Sequence, residues 1–168
     1  MKPELFWISG PWPSRLAIAA RPRGGEWLYD ELSSLHAAGV DVVVSLLTEE
    51  ETIELGLTDE AAAAKAARVE YTSFPIPDRG VPSSVSGLES LIVAISVALM
   101  AGKNVALHCR QGLGRSGLIA AAALVASGLD PEQAIETISL ARGQTIPETP
   151  RQRAWIQELP FLRPVPAR

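Results

Sequence analysis

Cysteine and histidine are scarce in this chain: its 168 residues include one cysteine, Cys109, and two histidines, His36 and His108. A single cysteine cannot form an intrachain disulfide, which argues against a disulfide-stabilised secreted scaffold and favours a reducing compartment. One cysteine and two histidines without the spacing of metal ligands do not make a zinc site. We therefore expect neither a metal nor any other cofactor.

A basic excess and long apolar runs are also missing. The net charge is −4, whereas proteins that bind nucleic acid usually carry a basic excess, so we expect no nucleic-acid partner. The longest apolar runs, near residues 91–101 and 118–126, are too short to span a bilayer. Gly10, Pro11 and Pro13 interrupt the apolar N-terminal segment, which therefore fits a secretory signal poorly. These absences predict a cytoplasmic protein without a membrane span.

The apolar pattern alternates between strand-like and helix-like segments. Short apolar or alternating runs predict strands at residues 5–9, 16–20, 40–47, 69–76 and 104–109. Longer segments with capping residues predict helices at residues 30–38, 48–55, 61–67, 84–101, 115–127, 131–141 and 150–158. This alternation implies an α/β fold, one domain whose central, mostly parallel sheet of four to five strands is flanked by helices. We expect its core at about residues 5–158 and an extended tail at residues 159–168.

Three of these segments carry further information. Residues 40–47 are rich in valine and have no polar alternation after Asp41, as in a strand that is covered on both faces. Residues 115–127 are apolar nearly all round, which predicts a central helix. Residues 48–60 hold six acidic residues and no basic one. We interpret them as a solvated helical face, with an acidic binding surface as the alternative.

The stretch HCRQGLGRSG, residues 108–117, lies between a predicted strand and a predicted helix. Backbone amides of such a loop can converge on an anion, and the positive end of the helix dipole adds to their field. Gly112 and Gly114 permit a tight turn, and the guanidinium of Arg115 can bind two oxygens of a phosphate. The loop therefore predicts a cradle for a tetrahedral oxyanion, phosphate or sulfate, with the sulfur of Cys109 at its floor.

The same features place Cys109 for nucleophilic chemistry. A helix N-terminus and nearby arginines favour the thiolate form of cysteine, so we expect Cys109 to be ionised at neutral pH. Ser116 can donate a hydrogen bond to that thiolate and later steady it as a leaving group. A thiolate that faces a bound phosphate is in position for in-line attack. The alternative, a cysteine that only packs, is the commoner role for a lone cysteine but does not explain the pattern around it.

HCRQGLGRS resembles the H-C-x2-G-x2-R-[S/T] signature of the protein tyrosine phosphatase superfamily. Within that superfamily the chain is similar to the small dual-specificity phosphatases. Residues 14–51 and the FPIPDRGVPS loop resemble the group around the cyclin-dependent-kinase-associated phosphatases, and the resemblance covers roughly residues 9–158. It implies the cysteine-phosphatase fold and hydrolysis of phosphate monoesters through a cysteinyl-phosphate intermediate.

Cleavage of a phosphate ester also needs a proton for the leaving oxygen, and Asp78 is the candidate acid. It lies 31 residues before Cys109, after a predicted strand, in a loop rich in proline and glycine. In the resembling family the general acid lies about this far upstream on such a loop. We expect Asp78 to donate its proton to the leaving oxygen, and its carboxylate then to activate water against the cysteinyl phosphate. The alternative is an aspartate that only stabilises a turn. Its neighbour Arg79 either contacts the substrate or is solvated.

Other positions near the signature complete the predicted site. His108 precedes Cys109 on a strand, so its side chain should point to the opposite face, and we expect it to support the loop by bonding loop carbonyls. Gln152 either positions water or is a surface glutamine. The loop positions expected to bind phosphate or substrate are Arg110, Gln111, Gly112, Leu113, Gly114 and Arg115.

The sequence therefore predicts a phosphatase that acts on phosphotyrosine and on phosphoserine or phosphothreonine in proteins, or on small phosphate esters. One alternative is a pseudophosphatase that binds phosphorylated partners without turnover. Another is a phosphoinositide phosphatase. Phosphoinositide phosphatases that share this signature often carry two basic residues in the loop in addition to the signature arginine, whereas this chain has Arg110 at the first of these places and Leu113 at the second. Rhodanese-like enzymes and arsenate reductases also use a cysteine in an anion-binding loop, but coupled-thiol arsenate reduction needs further cysteines.

Overall fold

The computed structural model describes residues 2–159. The strands found in them are β1 (Leu5–Ile8), β2 (Leu16–Ala19), β3 (Val42–Ser45), β4 (Glu70–Ser73) and β5 (Val105–His108). They form one five-stranded sheet in the order β1-β2-β5-β3-β4, in which β1 is antiparallel to β2 and the other three pairings are parallel. The predicted α/β fold with a mostly parallel sheet is confirmed. Apart from Leu159, the predicted tail lies outside the described residues.

The helices of this part of the chain follow the predicted segments closely. They are α1 (Leu28–Ala37), α2 (Glu49–Glu54), α3 (Glu60–Ala66), α4 (Val85–Met100), α5 (Arg115–Ala126), α6 (Pro131–Arg142) and α7 (Pro150–Gln157). Local sequence sets several of their ends. Thr48 and Asp130 each form a capping box with the residue three positions later. Gly143 ends α6 in the left-handed conformation, with a φ of 76°.

The two faces of the sheet are covered by different helices. Apolar side chains of α4, α5 and α6 pack on one face, and those of α1 and α3 pack on the other. Strand β3 contributes to both layers, because Val42 and Val44 lie in the first cluster and Val43 lies in the second. The prediction that this strand is covered on both faces is confirmed. Among the helices of residues 2–159, none combines the length and the hydropathy that crossing a bilayer requires.

The central helix α5 is packed by small side chains. All of its residues except Val125 are buried, including four consecutive alanines, which confirms the predicted central helix. Small side chains let neighbouring elements approach its axis closely. At Gly117 an added Cβ would lie 2.2 Å from Cγ2 of Ile146, which is itself fully buried. The loop that carries Ile146 is therefore seated directly on α5.

Parallel pairing brings three connections to one edge of the sheet. Strands β2, β3, β4 and β5 point the same way, so the segments that leave β3, β4 and β5 begin at their shared carboxyl edge. In open α/β sheets this edge is where ligands bind. The segments are residues 46–48, residues 74–84 (the Asp78 loop) and residues 109–114 (the cysteine loop).

We expect Gly117→Ala to lower the free energy of unfolding by about 1–3 kcal/mol, because the new methyl group overpacks against Ile146. Glycine to alanine inside a helix otherwise stabilises by about 1 kcal/mol, so the sign of the change is informative. Denaturant unfolding of Gly117→Ala, Ile146→Ala and the double variant measures the coupling. The double variant should be more stable than the sum of the two single effects. A stabilising Gly117→Ala would contradict the close packing of this loop on α5.

Candidate active site

The cysteine loop wraps backbone around the sulfur of Cys109. Cys109 follows β5 directly, is only 3% exposed, and its Sγ accepts a hydrogen bond from the amide of Gly112 at 3.3 Å. Gly112 has a φ of 69°, a left-handed conformation that favours glycine. An added Cβ there would also lie 3.2 Å from Cγ2 of Ile18. The glycine of the signature thus lets one amide of the loop turn inward onto the sulfur.

An arginine of α6 holds the outer side of the same loop. Arg142 donates from Nε to the carbonyl of Gly112 at 3.1 Å and from Nη2 to the carbonyl of Gln111 at 3.4 Å. Its guanidinium also lies over the ring of Phe6, 4.1 Å from the centroid. By bonding these two carbonyls, Arg142 holds the segment of the loop whose Gly112 amide donates to the sulfur. Sequence reasoning did not identify Arg142, which lies 30 residues from Gly112.

The side chain of Arg115, the first residue of α5, is buried and surrounded by hydrogen-bond acceptors. Its two Nη atoms donate to the two carboxylate oxygens of Glu51 at 2.6 and 2.9 Å. Nη1 also donates to the carbonyl of Ile76 at 3.0 Å, and Nη2 donates to Oδ1 of Asp78 at 3.2 Å. Burial lowers the pKa of Arg115, but the bonds to Glu51 and the charges of Cys109, Glu51 and Asp78 outweigh burial and raise it. The arginine stays charged and fixed in one orientation.

Glu51 corrects the interpretation of residues 48–60 as a solvated face. Glu51 is 7% exposed and Glu60 is 1% exposed, so two of the six acids in this stretch are buried. Burial raises the pKa of Glu51, but hydrogen bonds from Arg115 and from the amide of Thr48 outweigh burial and place it below the ordinary value. The burial of these two acids was not predicted because their partners lie far away in the sequence, 64 residues in the case of Glu51 and Arg115.

His108 forms the second buried pair. Its Nε2 lies 2.6 Å from Oε1 of Glu60, and both side chains are 1% exposed. Nδ1 of His108 and Oε2 of Glu60 have no hydrogen-bond partner among residues 2–159. The prediction that His108 bonds loop carbonyls is therefore wrong. The ring is instead bonded to the carboxylate of Glu60, the first residue of α3. This pair anchors the end of β5 directly before Cys109.

The Asp78 loop reaches over the cysteine loop and is fastened from two sides. Asp78 keeps 58% of its side chain exposed while it accepts the bond from Arg115. Gln152, which is fully buried, donates from Nε2 to the carbonyl of Gly80 at 3.0 Å. Of the two alternatives for Gln152, the surface glutamine is excluded. Arg79 adopts a left-handed φ of 58°, which is uncommon for a residue with a side chain.

Two predicted contacts of the cysteine loop are not made. The hydroxyl oxygen of Ser116 is buried without a hydrogen-bond partner in the described part of the chain, so the predicted bond to the sulfur of Cys109 is replaced by the amide of Gly112. Leu113 packs against the hydrophobic core instead of facing the substrate side. It is an apolar side chain at the base of the loop, where burial against the core is more favourable than exposure in a polar cleft.

The side chains that meet at this edge enclose an open cleft, which we call the active-site cleft. It brings together most of the predicted residues and adds one that sequence reasoning missed, Glu148. Its lining residues are Asp78, Arg79, Cys109, Arg110, Gln111, Gly114, Arg115 and Glu148. Arg110 is drawn to one side by Glu54, whose Oε1 lies 2.9 Å from its Nη2. Within residues 2–159, the structure groups no three His, Cys, Asp or Glu side chains in a way that fits a metal ion.

We expect Glu51→Gln to lower the free energy of unfolding by about 3 kcal/mol at neutral pH, because it leaves the buried Arg115 without its counter-charge. The lowered pKa of Glu51 means that its contribution is complete above the ordinary value of 4.5 and is lost as the pH falls through the folded value. Denaturant unfolding across this pH range measures the difference. Glu50→Gln, an exposed position on the same helix, is the matched control. A difference that persists in acid would contradict the ion pair.

A family model and a curated relative both match this chain. A family model described as "Tc-R-P: Polymorphic toxin system, DSP-PTPase phosphatase" matches residues 17–129. Cyclin-dependent kinase inhibitor 3 of Sus scrofa is 34% identical over 86 residues, which are 50% of this chain and 40% of the pig protein. The aligned part thus spans less than half the length of this relative.

Solved structures match over nearly the whole chain. Tk-PTP in its active form is 31% identical with a TM-score of 0.76 and covers 95% of this chain and 97% of its own. PTPMT1 in complex with PI(5)P is 26% identical with a TM-score of 0.70, over 91% and 94% of the two chains. Kinase-associated phosphatase, with its catalytic-site cysteine replaced by serine, has a TM-score of 0.88 over 96% of both chains, and at 20% identity it supports the fold alone.

Four observations indicate the same family: the signature residues, the sheet order, the match of the family model over residues 17–129 and the similarity to Tk-PTP. This chain belongs to the dual-specificity protein tyrosine phosphatases, a family of phosphoric monoester hydrolases.

Proposed function

We propose that this protein hydrolyses phosphate monoesters of phosphotyrosine, phosphoserine and phosphothreonine in proteins through a cysteinyl-phosphate intermediate. The observation that carries the proposal is the meeting of Cys109, Arg115 and Asp78 at one cleft. These residues supply a nucleophile, a cation for the phosphoryl oxygens and a proton donor. In this proposal the chemistry needs no metal or organic cofactor.

In the first step the phosphate occupies the cysteine loop, where loop amides and the N-terminus of α5 face its oxygens. The thiolate of Cys109 attacks phosphorus in line, the S–P bond forms and the P–O bond to the leaving group breaks. Asp78 gives its proton to the leaving oxygen. We assign the stabilisation of the thiolate to the amide of Gly112, whose bond to the sulfur takes the place expected for Ser116.

Binding of the phosphate would also release the acid. The four N–H groups on the Nη atoms of Arg115 face Glu51, Ile76 and Asp78, which leaves its Nε–H as the remaining donor. A phosphate oxygen that takes the Nη2 donor displaces Asp78, while Glu51 keeps the guanidinium in place. The displaced carboxyl then lies beside the anion's negative charge, which favours its protonated form. In this scheme substrate binding itself prepares Asp78 for proton transfer.

In the second step water attacks the phosphorus of the cysteinyl phosphate, the S–P bond breaks and inorganic phosphate leaves. The carboxylate of Asp78, which gave up its proton in the first step, takes one proton from that water, and the thiolate of Cys109 is regenerated. The residues conserve charge and protons over the cycle without an external oxidant or reductant.

The charges around the cleft support a protein or small-molecule phosphoester over a phosphoinositide. Arg110, the basic residue next to Cys109, is paired with Glu54, and Leu113 is packed against the core. Neither offers a free cation for a second phosphate group, and Glu148 adds negative charge, which leaves Arg79 as the one further arginine among the residues that line the cleft. A phosphoinositide remains the second candidate because of the similarity to PTPMT1 in complex with PI(5)P.

The proposal is tested by assaying the purified chain side by side on phosphopeptides, PI(5)P, small phosphate esters and thiosulfate. We expect turnover of phosphotyrosine and phosphoserine or phosphothreonine peptides, with slower turnover of PI(5)P. A preference for PI(5)P would overturn the substrate class. Phosphate binding without any turnover would instead identify a pseudophosphatase, and sulfur transfer from thiosulfate would identify a rhodanese-like enzyme.

Cys109→Ser should lower turnover of para-nitrophenyl phosphate on the order of 10⁴-fold or more, because a neutral hydroxyl replaces the thiolate. Binding of inorganic phosphate, measured by calorimetry, should persist because the loop amides and Arg115 remain. Residual activity near the wild-type level would contradict the assignment of the nucleophile.

Asp78→Asn should lower the rate roughly 10²–10⁴-fold on esters with poor leaving groups, which need a proton in the transition state. The loss should be much smaller for para-nitrophenyl phosphate, whose leaving group is already a stable anion. The decline of kcat/KM at high pH, where Asp78 is deprotonated, should also disappear. Asp59→Asn, an exposed aspartate outside the cleft, serves as the control. An unchanged pH profile would point to another acid.

A further inference from the structure

Arg79 lines the active-site cleft but has no role in the chemistry described so far. Its side chain is exposed, and it takes part in none of the ion pairs formed within residues 2–159. The other two arginines of the cleft are occupied, because Arg115 is bonded to Glu51 and Arg110 is bonded to Glu54. In the described part of the chain, Arg79 is therefore the one cation of this lining that has no anionic partner.

The backbone at Arg79 is held in a conformation that arginine rarely adopts. The amide of Gly80 donates to the carbonyl of Pro77 at 2.8 Å, which closes a β-turn with Asp78 and Arg79 at its two central positions. The φ of Arg79 is 58°, and a positive φ at the third position of a turn is usually met by glycine or asparagine. Residues with side chains in this region store backbone strain, and such residues cluster at functional sites. Glycine would remove the strain here, whereas the arginine adds a charged side chain to the cleft.

Two contacts fix this turn over the cysteine loop. The fully buried Gln152 donates from Nε2 to the carbonyl of Gly80 at 3.0 Å, and Arg115 donates from Nη2 to Oδ1 of Asp78 at 3.2 Å. The residues before and after Arg79 are thus both bonded to the core of the site. The backbone of Arg79 is held between them, at a set distance from the acid.

The role of Asp78 determines what lies within reach of Arg79. In the proposed reaction Asp78 gives its proton to the leaving oxygen, which is the side-chain oxygen of the phosphorylated residue. Consecutive Cα atoms lie about 3.8 Å apart, so Arg79 begins one residue away from the group that contacts the substrate. An arginine carries its charge at the end of a long aliphatic stem. Its guanidinium can therefore reach the residues that flank the phosphorylated one.

The charges of the cleft favour a carboxylate as the second anion of the substrate. A guanidinium binds the two oxygens of a carboxylate at once, and the resulting pair is neutral. A second phosphate group would carry a charge of about −1.5 to −2, more than one arginine neutralises, beside the carboxylates of Asp78 and Glu148. We propose that Arg79 binds an aspartate or glutamate within two positions of the phosphorylated residue, so that acidic phosphoprotein segments are the preferred substrates. This inference rests on the phosphatase function proposed above.

Matched phosphotyrosine peptides test this specificity. One peptide carries glutamate at the two positions on either side of the phosphotyrosine, and the others carry glutamine or lysine at the same positions. We expect the kcat/KM of the wild type to be about fivefold higher for the glutamate peptide than for the glutamine peptide, as for an exposed ion pair. Arg79→Gln should abolish this preference, and Arg79→Glu should reverse it in favour of the lysine peptide. The preference of the wild type should also fall as the salt concentration rises.

Arg68→Gln is the matched control. Arg68 is also an exposed arginine with a positive φ, 62°, but it precedes β4 and so lies at the opposite edge of the sheet, and its replacement should leave the peptide ratio at the wild-type value. An unchanged ratio in Arg79→Gln would contradict the proposal. A loss of PI(5)P turnover in Arg79→Gln without a change in the peptide ratio would also overturn it, because Arg79 would then serve a lipid phosphate. Failure of the proposed function itself looks different, because the wild type would then hydrolyse none of the peptides.

Discussion

The ion pair between Arg115 and Glu51 is the interaction on which the rest of the site depends. Arg115 is the largest fully buried side chain in residues 2–159, and a buried guanidinium without a counter-charge costs several kcal/mol. Glu51, near the start of α2, offsets that cost by accepting two hydrogen bonds from Arg115. The carbonyl of Ile76 and the carboxylate of Asp78 accept one more each, from the Asp78 loop. A single side chain thereby ties together the segments that follow β3, β4 and β5. The orientation of Arg115 and the position of Asp78 are coupled through this ion pair.

The architecture makes this coupling possible because the parallel strands deliver their loops to one edge. β5 lies between β2 and β3 and has helices over both of its faces. The pair of His108 and Glu60 fixes its end from one side, and Arg142 fixes the cysteine loop from the other. Cys109 is therefore held between a strand and a helix of the core. Asp78 lies on a loop that Arg115 and Gln152 bond, and whose first residues donate from the amides of Phe74 and Ile76 to the carbonyls of Ser45 and Leu46.

The charge balance of the cleft bears on which phosphoesters it accepts. Arg115 and Arg110 are paired with Glu51 and Glu54, while Arg79, which lines the same cleft, takes part in none of the ion pairs within residues 2–159. Glu148 and Asp78 add two carboxylates to the lining of the same cleft.

The sequence by itself determined the order of strands and helices, the central position of α5, and the loop with Cys109, Gly112 and Arg115. These features are local: apolar periodicity, caps and a ten-residue signature lie within single segments. Tertiary structure alone decided the partners, because Glu51, Glu60 and Arg142 act on residues 64, 48 and 30 positions away. A run of acidic residues has the same sequence pattern whether its side chains face water or a buried arginine. Only folding shows that two of its acids are buried and that Glu148 joins Asp78 beside the sulfur.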